Sequence, residues 1–397
     1  NDSQVNGGVY VVHGDGSVQV IAADEGNKLK ETAESWDNMA YIHAGDYFVN
    51  GWRDDGSMTV LTLFENSLIN ALEQESGWLD EYVDYYRAGD FEVALRSDGR
   101  VDAVGADKET LEEIAKWKDV VSIDGFNYML TGITQDGRVL SVGFPDELSK
   151  QMNKWKGVLQ IFYWDDFVIA LKNNGEMLVA LTEDEPFFTF DYNAVKGWKN
   201  IVRIVGDVCP MQPVLVAMDK NGKVYNLNDK FSDYANLNET IRDGVNISTN
   251  GYISHCVRKD GSLVSWGPES GMLDEAKLRL KDYVYALGTV GLRKDGSLCY
   301  LGKDEYLEKG DPFREAIEAC RDVRMLYTDG EALFALKNDG TISVLKPPYF
   351  YDDAQEQAFP AQIAAWENVD TMEADTGYVF VRDIAARISI FPESELK

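Results

Sequence analysis

Histidine is nearly absent from this chain, with three in 397 residues, and cysteine is scarce, with four. His13, His43 and His255 are the only imidazoles, and none stands in a GxSxG or Cys–His signature. Nucleophilic catalysis of the triad type therefore lacks a base beside its nucleophile, and the three histidines read as structural or surface residues. Cys209, Cys256, Cys299 and Cys320 are spaced by 47, 43 and 21 residues, with no CxxC and no Cys/His pair. That spacing excludes the usual zinc frameworks. Cys256 and Cys299 flank successive turns and read as small buried strand residues, and a disulfide between them stays open. No run of 18 apolar residues exists, so no membrane-spanning helix is expected. Glycine-rich phosphate loops are missing too, and the segments at Asp54 and Asp219 borrow only the opening of a calcium loop. No cofactor and no metal is expected.

Positive charge is also in short supply: 38 basic residues face 68 acidic ones, a net charge of −30. Such a surface repels phosphate backbones, and no run of Lys and Arg in the sequence offsets it, so no nucleic-acid partner is expected. The apolar share of 45% and aromatic share of 12% argue for a packed globular protein. The chain opens Asn1-Asp2-Ser3 without Met, as expected of a mature product whose export signal has been removed.

What the sequence does contain is a repeat. A turn block ends in Gly16, Gly56, Gly99, Gly137, Gly175, Gly222, Gly261, Gly296 and Gly340, with gaps of 35 to 47 residues. Asp or Asn precedes each glycine, and alternating apolar stretches flank it, as in VALRSDGRVDAVG and LFALKNDGTISVL. Asx-Gly between two such stretches predicts a hairpin, with glycine at a positive φ and the Asx side chain bonding its own backbone. Trp36, Trp117 and Trp155 each precede their turn glycine by 20 residues; Leu79, Ile241 and Cys320 hold the same offset, and Trp198 stands 24 before. A β-rich run follows each, so the unit reads strand, strand, turn, strand. The tryptophans are expected to pack between units.

Segments between units vary most. Asp107 is expected to cap KETLEEIAKW, Asp311 to cap a helix starting at Pro312, and DELSKQMNKW to be helical after Pro145. Asn66 to Tyr82 reads as an amphipathic helix, and residues 366–391 as a tenth unit that has lost its turn glycine. With no linker in the series, residues 1–397 are expected to form a single repeat domain. It is an all-β propeller of about ten short three-stranded units, or seven or eight blades with extra units outside the ring. The first hairpin, Val9 to Ala22, lacks a preceding strand, which closure of one ring would supply from elsewhere, joining the two termini.

The pattern W-K-x-V-V-x-I, then A-L-K-x-D-G-x-V, then W/V-G resembles the regulator of chromosome condensation repeat family. Trp117 to Gly143, Ile241 to Gly267 and Cys320 to Leu345 carry it best. The short unit is most similar to bacterial members, including the β-lactamase inhibitory propeller proteins. The resemblance implies a β-propeller. Its members are exchange factors, enzyme inhibitors or surface proteins, so it selects no activity. The family's His, about eight residues before the turn glycine, is replaced by Phe48, Phe91, Met129 and Phe167, while His255 stands six before Gly261.

The expected function is a non-enzymatic binding scaffold, secreted or at a bacterial cell surface, recognising a protein or glycan through inter-blade loops. Aromatics that break the repeat are its candidate binding residues: Phe187, Phe188 and Tyr192 in one loop, Tyr349, Phe350 and Tyr351 in another. The alternative is a propeller carbohydrate-active enzyme, a hydrolase or lyase using loop carboxylates such as Asp165-Asp166 and Asp352-Asp353.

Overall fold

In the computed structural model the described residues are 9–21, 32–45, 48–53, 57–62, 82–88, 91–126, 128–163, 167–182, 192–209, 212–227, 241–307, 310–328, 333–346, 369–374 and 379–382. They form nine antiparallel sheets joined by short helices, the blade unit of a β-propeller repeated along an all-β chain. The first hairpin is β1 (Val9–His13) and β2 (Val18–Ile21). Strands β3 (Met39–Gly45), β4 (Phe48–Arg53) and β5 (Met58–Thr62) make the second sheet. The third is β6 (Tyr82–Ala88), β7 (Phe91–Arg96) and β8 (Val101–Val104). The fourth is β9 (Val120–Phe126), β10 (Met129–Thr134) and β11 (Val139–Val142). The fifth is β12 (Val158–Tyr163), β13 (Phe167–Lys172) and β14 (Met177–Leu181).

The sixth sheet holds β15 (Ile201–Cys209), β16 (Gln212–Asp219) and β17 (Val224–Asn226). The seventh is β18 (Gly244–Thr249), β19 (Ser254–Arg258) and β20 (Leu263–Trp266). Then come β21 (Tyr283–Leu287), β22 (Val290–Arg293) and β23 (Leu298–Tyr300), and finally β24 (Val323–Thr328), β25 (Leu333–Lys337) and β26 (Ile342–Lys346).

The degenerate segment 366–391 builds no sheet of its own among the described residues. Its β27 (Val369–Ala374) pairs with β1 and supplies the strand that the first hairpin lacks. Its β28 (Val379–Arg382) pairs with β15 as a fourth strand of the sixth sheet.

Local chemistry accounts for the unit. All eight described turn glycines have φ between 73° and 85°. Each turn is a tight one closed by a glycine bulge: at Gly99, its amide donates to the Arg96 carbonyl and the Arg96 amide donates to the Arg100 carbonyl. The Asx side chain accepts from the amide two residues on, as Asp260 does from Ser262 at 3.0 Å and Asp339 from Thr341 at 2.9 Å. Trp36, Trp117, Trp155 and Trp198 are all buried. Trp36 and Trp117, just ahead of the first strand, each face a glycine of the middle strand: a Cβ placed on Gly132 would lie 2.9 Å from the Trp117 ring, and one on Gly51 would lie 2.9 Å from the Trp36 ring.

Helices bridge the sheets where capping chemistry starts them. Asp107 accepts from the Thr110 amide to open Lys108–Ile114, and Asp311 accepts from the Phe313 and Arg314 amides to open Pro312–Ala319. Asp146–Met152 follows Pro145. Of the helix expected over Asn66 to Tyr82, residues 66–81 lie outside the described residues, and Tyr82 begins β6.

Two compact units divide the chain: residues 1–173, 180–185 and 348–377, and residues 174–179, 186–347 and 378–397. Within each, side chains of successive sheets share a core. In the first, Tyr10, Val12, Val18 and Val20 pack with Trp36, Met39 and Ile42, and Phe91, Val93 and Leu95 pack with Trp117, Val120 and Ile123. In the second, Val216 and Val224 pack with Ile247 and Cys256, Val257 and Leu263 with Tyr283 and Ala286, and Leu292 and Tyr300 with Val323 and Leu326. Burying a side chain of this kind is worth about 1.5–3 kcal/mol, which fixes each sheet to the next.

Candidate functional site

The starts of the first strands share a recurring geometry. Two residues after the Trp position the chain takes a positive φ in five units: 55° at Asn38, 59° at Asp119, 67° at Gly157, 57° at Asn200 and 62° at Asp322. This residue abuts the turn of the preceding unit. Cβ atoms built on Gly16, Gly99 and Gly296 would lie 2.7, 3.0 and 3.1 Å from the Cα atoms of Asn38, Asp119 and Asp322. The next amide donates to that turn glycine's carbonyl: Met39 to Gly16, Val120 to Gly99, Val158 to Gly137, Ile201 to Gly175, Gly244 to Gly222, Tyr283 to Gly261 and Val323 to Gly296, all at 2.8–3.0 Å.

One residue further on, the register slips. The first strand bulges at Ala40, Val83, Val121, Leu159, Val202, Val245, Val284, Arg324 and Asp370, so all nine sheets carry the bulge at one repeat position. An unpaired bulge residue bends the strand and re-aims its side chain. Here the residue before it is an anchor in the core (Val120, Val158, Ile201, Tyr283, Val323), while Val83 and Leu159 are half-buried at the bulge and four bulged valines stand in solvent. Val121, Val202, Val245 and Val284 are 56, 43, 53 and 41% exposed. In four units an aliphatic side chain is thus held out in solvent at the same repeat position.

Charge on this edge of strand starts departs from the chain as a whole. In six units the residue after the Trp position is a cation, Lys118, Lys156, Lys199, Arg242, Lys281 or Arg321, each exposed; after Trp36, Leu79 and Trp366 it is acidic. In the second unit, the strand starts 198–202, 241–245, 280–284 and 320–324 and the turns 219–223, 258–262, 293–297 and 337–341 carry twelve basic and seven acidic residues. Lys281 pairs with Asp260 at 3.2 Å, and Asp260 is held down to about 2 by the Ser262 hydroxyl first, then the Ser262 amide and Lys281. The sequence hid this patch because its cations are spread at the repeat period.

Behind the edge, polar side chains six residues before the turn glycine tie one sheet to the next. Asn50 Nδ2 donates to the Tyr85 carbonyl at 3.2 Å, and Thr131 Oγ1 meets the Tyr163 hydroxyl at 3.4 Å. His255 is wholly buried, bonded through Nδ1 to Ser265 Oγ at 2.7 Å and through Nε2 to the Gly288 carbonyl at 2.8 Å. Nε2 therefore carries the hydrogen, and burial holds the imidazole down to about 4, neutral and structural. A buried ion pair, Arg87–Glu92 at 2.6 Å with the Tyr85 hydroxyl donating to Glu92 at 2.9 Å, closes the β6–β7 hairpin. Cys256, Cys299 and Cys320 are free thiols, so Cys256 and Cys299 do not pair; burial first, and then Asp243, pushes the Cys256 thiol up to about 12.

Of the sequence-derived binding residues, Tyr192 opens the helix Tyr192–Lys196 and is half-buried. Phe187, Phe188, Tyr349, Phe350 and Tyr351 lie outside the described residues, as do Asp165-Asp166 and Asp352-Asp353. Two aromatics escaped sequence reasoning. Tyr128, 64% exposed, and Tyr252, 37% exposed, occupy equivalent tips between the first and second strands. Gly143 and Gly267, the glycines ending the third strand, press against the Tyr128 and Tyr252 carbonyls, where a Cβ would come within 2.1 and 2.3 Å. Among the described residues no group of three or more His, Cys, Asp or Glu could hold a metal ion, and no helix is long and apolar enough to cross a membrane.

This chain has a propeller-like repeat fold. No family model matches it, and no curated protein matches it. Solved structures similar to it include AztD from Citrobacter koseri, at 9% identity over 95% of this chain and 99% of that one, with a TM-score of 0.43. BamB from Moraxella catarrhalis matches at 13% identity, 76% and 89% coverage and 0.34. Prp20p from Saccharomyces cerevisiae, whose binding to Gsp1p and histones is described with its structure, matches at 11%, 67% and 82%, and 0.33. At these scores none carries an argument about function.

Proposed function

We propose that the chain is a non-enzymatic scaffold of the regulator of chromosome condensation repeat type, binding a protein or glycan ligand. The observation that carries this reading is the bulge that holds an aliphatic side chain in solvent at the same position of four units. A core residue would be buried and a solvation residue polar; Val121, Val202, Val245 and Val284 are neither. The exposed Tyr128 and Tyr252 offer further contact points of the kind enriched at binding hot spots. Asp15, Asp98, Asp136, Asp295 and Asp339 are each held below the usual range by the hydroxyl or side chain two residues away, as turn residues.

The proposal extends to an exported or cell-surface location, which fractionation with protease shaving of intact cells tests. Binding is tested by placing a photo-crosslinking residue at Val245 and exposing the protein to an extract of its native cells and to a glycan array. A discrete adduct or glycan signal that Val202→Ser/Val245→Ser/Val284→Ser abolishes supports the scaffold. Turnover of polysaccharide by the purified protein would support the hydrolase reading instead.

A further inference from the structure

We infer that the turn edge of the second unit docks an acidic, aliphatic-rich protein segment. This rests on the scaffold reading and adds to it the chemistry of the partner. The chain carries 38 basic and 68 acidic residues, yet the eight edge segments of this unit invert that ratio to twelve against seven. The inversion follows the repeat. A cation stands three residues ahead of each exposed valine: Lys199 before Val202, Arg242 before Val245, Lys281 before Val284. The carbonyls of Gly222 and Gly261 accept from the Gly244 and Tyr283 amides, so each turn is seated beside the next strand start. Turn cations Lys220 and Lys223 thereby fall beside the Val245 strand start and Lys259 beside that of Val284, while Lys294 stands by the following start at Val323. Met325, 48% exposed, and Leu280, 42% exposed, extend the aliphatic row.

An edge that alternates cations with aliphatic side chains complements a segment that alternates carboxylates with aliphatic side chains. Coulomb attraction steers the encounter and aliphatic contact holds it. A nucleic acid is disfavoured because it offers the valines no aliphatic partner. Asp243, Asp260, Asp282 and Asp295 also interrupt the cations, where a continuous phosphate track would meet like charge. An anionic bilayer is disfavoured by the net charge of −30 on the chain as a whole. In the first unit Lys118 and Val121 are the one such pair, and the strand starts and turns there carry more anions, as at Asp15, Asp37 and Asp98, so the preference belongs to the second unit.

Fluorescence anisotropy with the intact chain tests this, using a short labelled peptide of alternating Glu and Leu. Its Lys–Leu counterpart, oligo(dT) and phosphatidylglycerol vesicles serve as competing probes. The Glu–Leu peptide is expected to bind, more weakly as salt rises, while the others do not. Lys199→Glu/Arg242→Glu/Lys281→Glu is expected to weaken it at least about tenfold, with the Gln variants intermediate and melting curves unchanged. No binding of the Glu–Leu peptide, or equal or tighter binding of any competing probe, overturns the inference. Sensitivity to Val202→Ser/Val245→Ser/Val284→Ser without sensitivity to charge reversal keeps the docking edge and overturns its acidic partner. Indifference to both sets overturns the docking edge as well.

Discussion

Gly99 and Asp119 meet across two successive sheets: a Cβ on Gly99 would lie 3.0 Å from the Asp119 Cα, and both residues hold positive φ, 81° and 59°. The Gly99 carbonyl accepts from the Val120 amide at 3.0 Å, and the Asp119 carbonyl accepts from the Gln135 amide at 2.8 Å. One left-handed residue thus links the turn of one unit to the turn of the next. Gly99→Ala forces a Cβ into both an unfavourable φ and backbone atoms, so it is expected to destabilise by about 2 kcal/mol or more. Asp119→Gly, which relieves the left-handed strain, is expected to stay within about 1 kcal/mol of the parent. Urea unfolding of the two variants measures the difference.

The turns, their glycines and the buried tryptophans were legible in the sequence because each rests on a local rule: φ at glycine, Asx bonding, apolar alternation. The bulge was not, because it is a slip between two strands and the alternation VVSIDG contains no mark of it. Nor was the cationic edge, since Lys199, Arg242, Lys281 and Arg321 stand about 40 residues apart and come together only through unit-to-unit packing. Closure of the first sheet was expected to join the two termini, and the strand that does so, β27, was not singled out, because long-range pairing has no local signature. The His255 position reads clearly only in the structure: six before the turn, it faces the neighbouring sheet and bonds Gly288.

His255 makes stability depend on pH. Its folded value is about 4 against 6.5 unfolded, so below 6.5 the unfolded chain binds a proton that the native site refuses. Its contribution is complete above 6.5 and is lost as pH falls through the window toward 4, about 3 kcal/mol in all. Denaturation midpoints of the parent and of His255→Gln between those limits check this. The variant is expected to show a shallower slope.

Glu92 and Arg87 are buried together in the β6–β7 hairpin. Glu92→Gln leaves the guanidinium buried without its counter-charge and is expected to cost about 3 kcal/mol or more, read by chemical denaturation. Arg87→Met/Glu92→Leu, which removes both charges, is expected to recover much of that loss.

Gly132 faces the Trp117 ring at the core of its unit. Gly132→Val overpacks that contact and is expected to destabilise by about 1–3 kcal/mol. Trp117→Ala is expected to cost about 3–5 kcal/mol through the cavity it leaves. Thermal melts order the two.

The bulged valines are the residues on which function is staked, and they are exposed, so their replacement separates binding from folding. Val202→Ser/Val245→Ser/Val284→Ser is expected to keep its stability within about 1 kcal/mol of the parent. The decisive measurement is the affinity of this triple variant for the acidic aliphatic peptide beside that of the parent chain. The expected result is a loss of at least about tenfold with an unchanged melting curve. Equal affinities would contradict the bulged edge as the binding site.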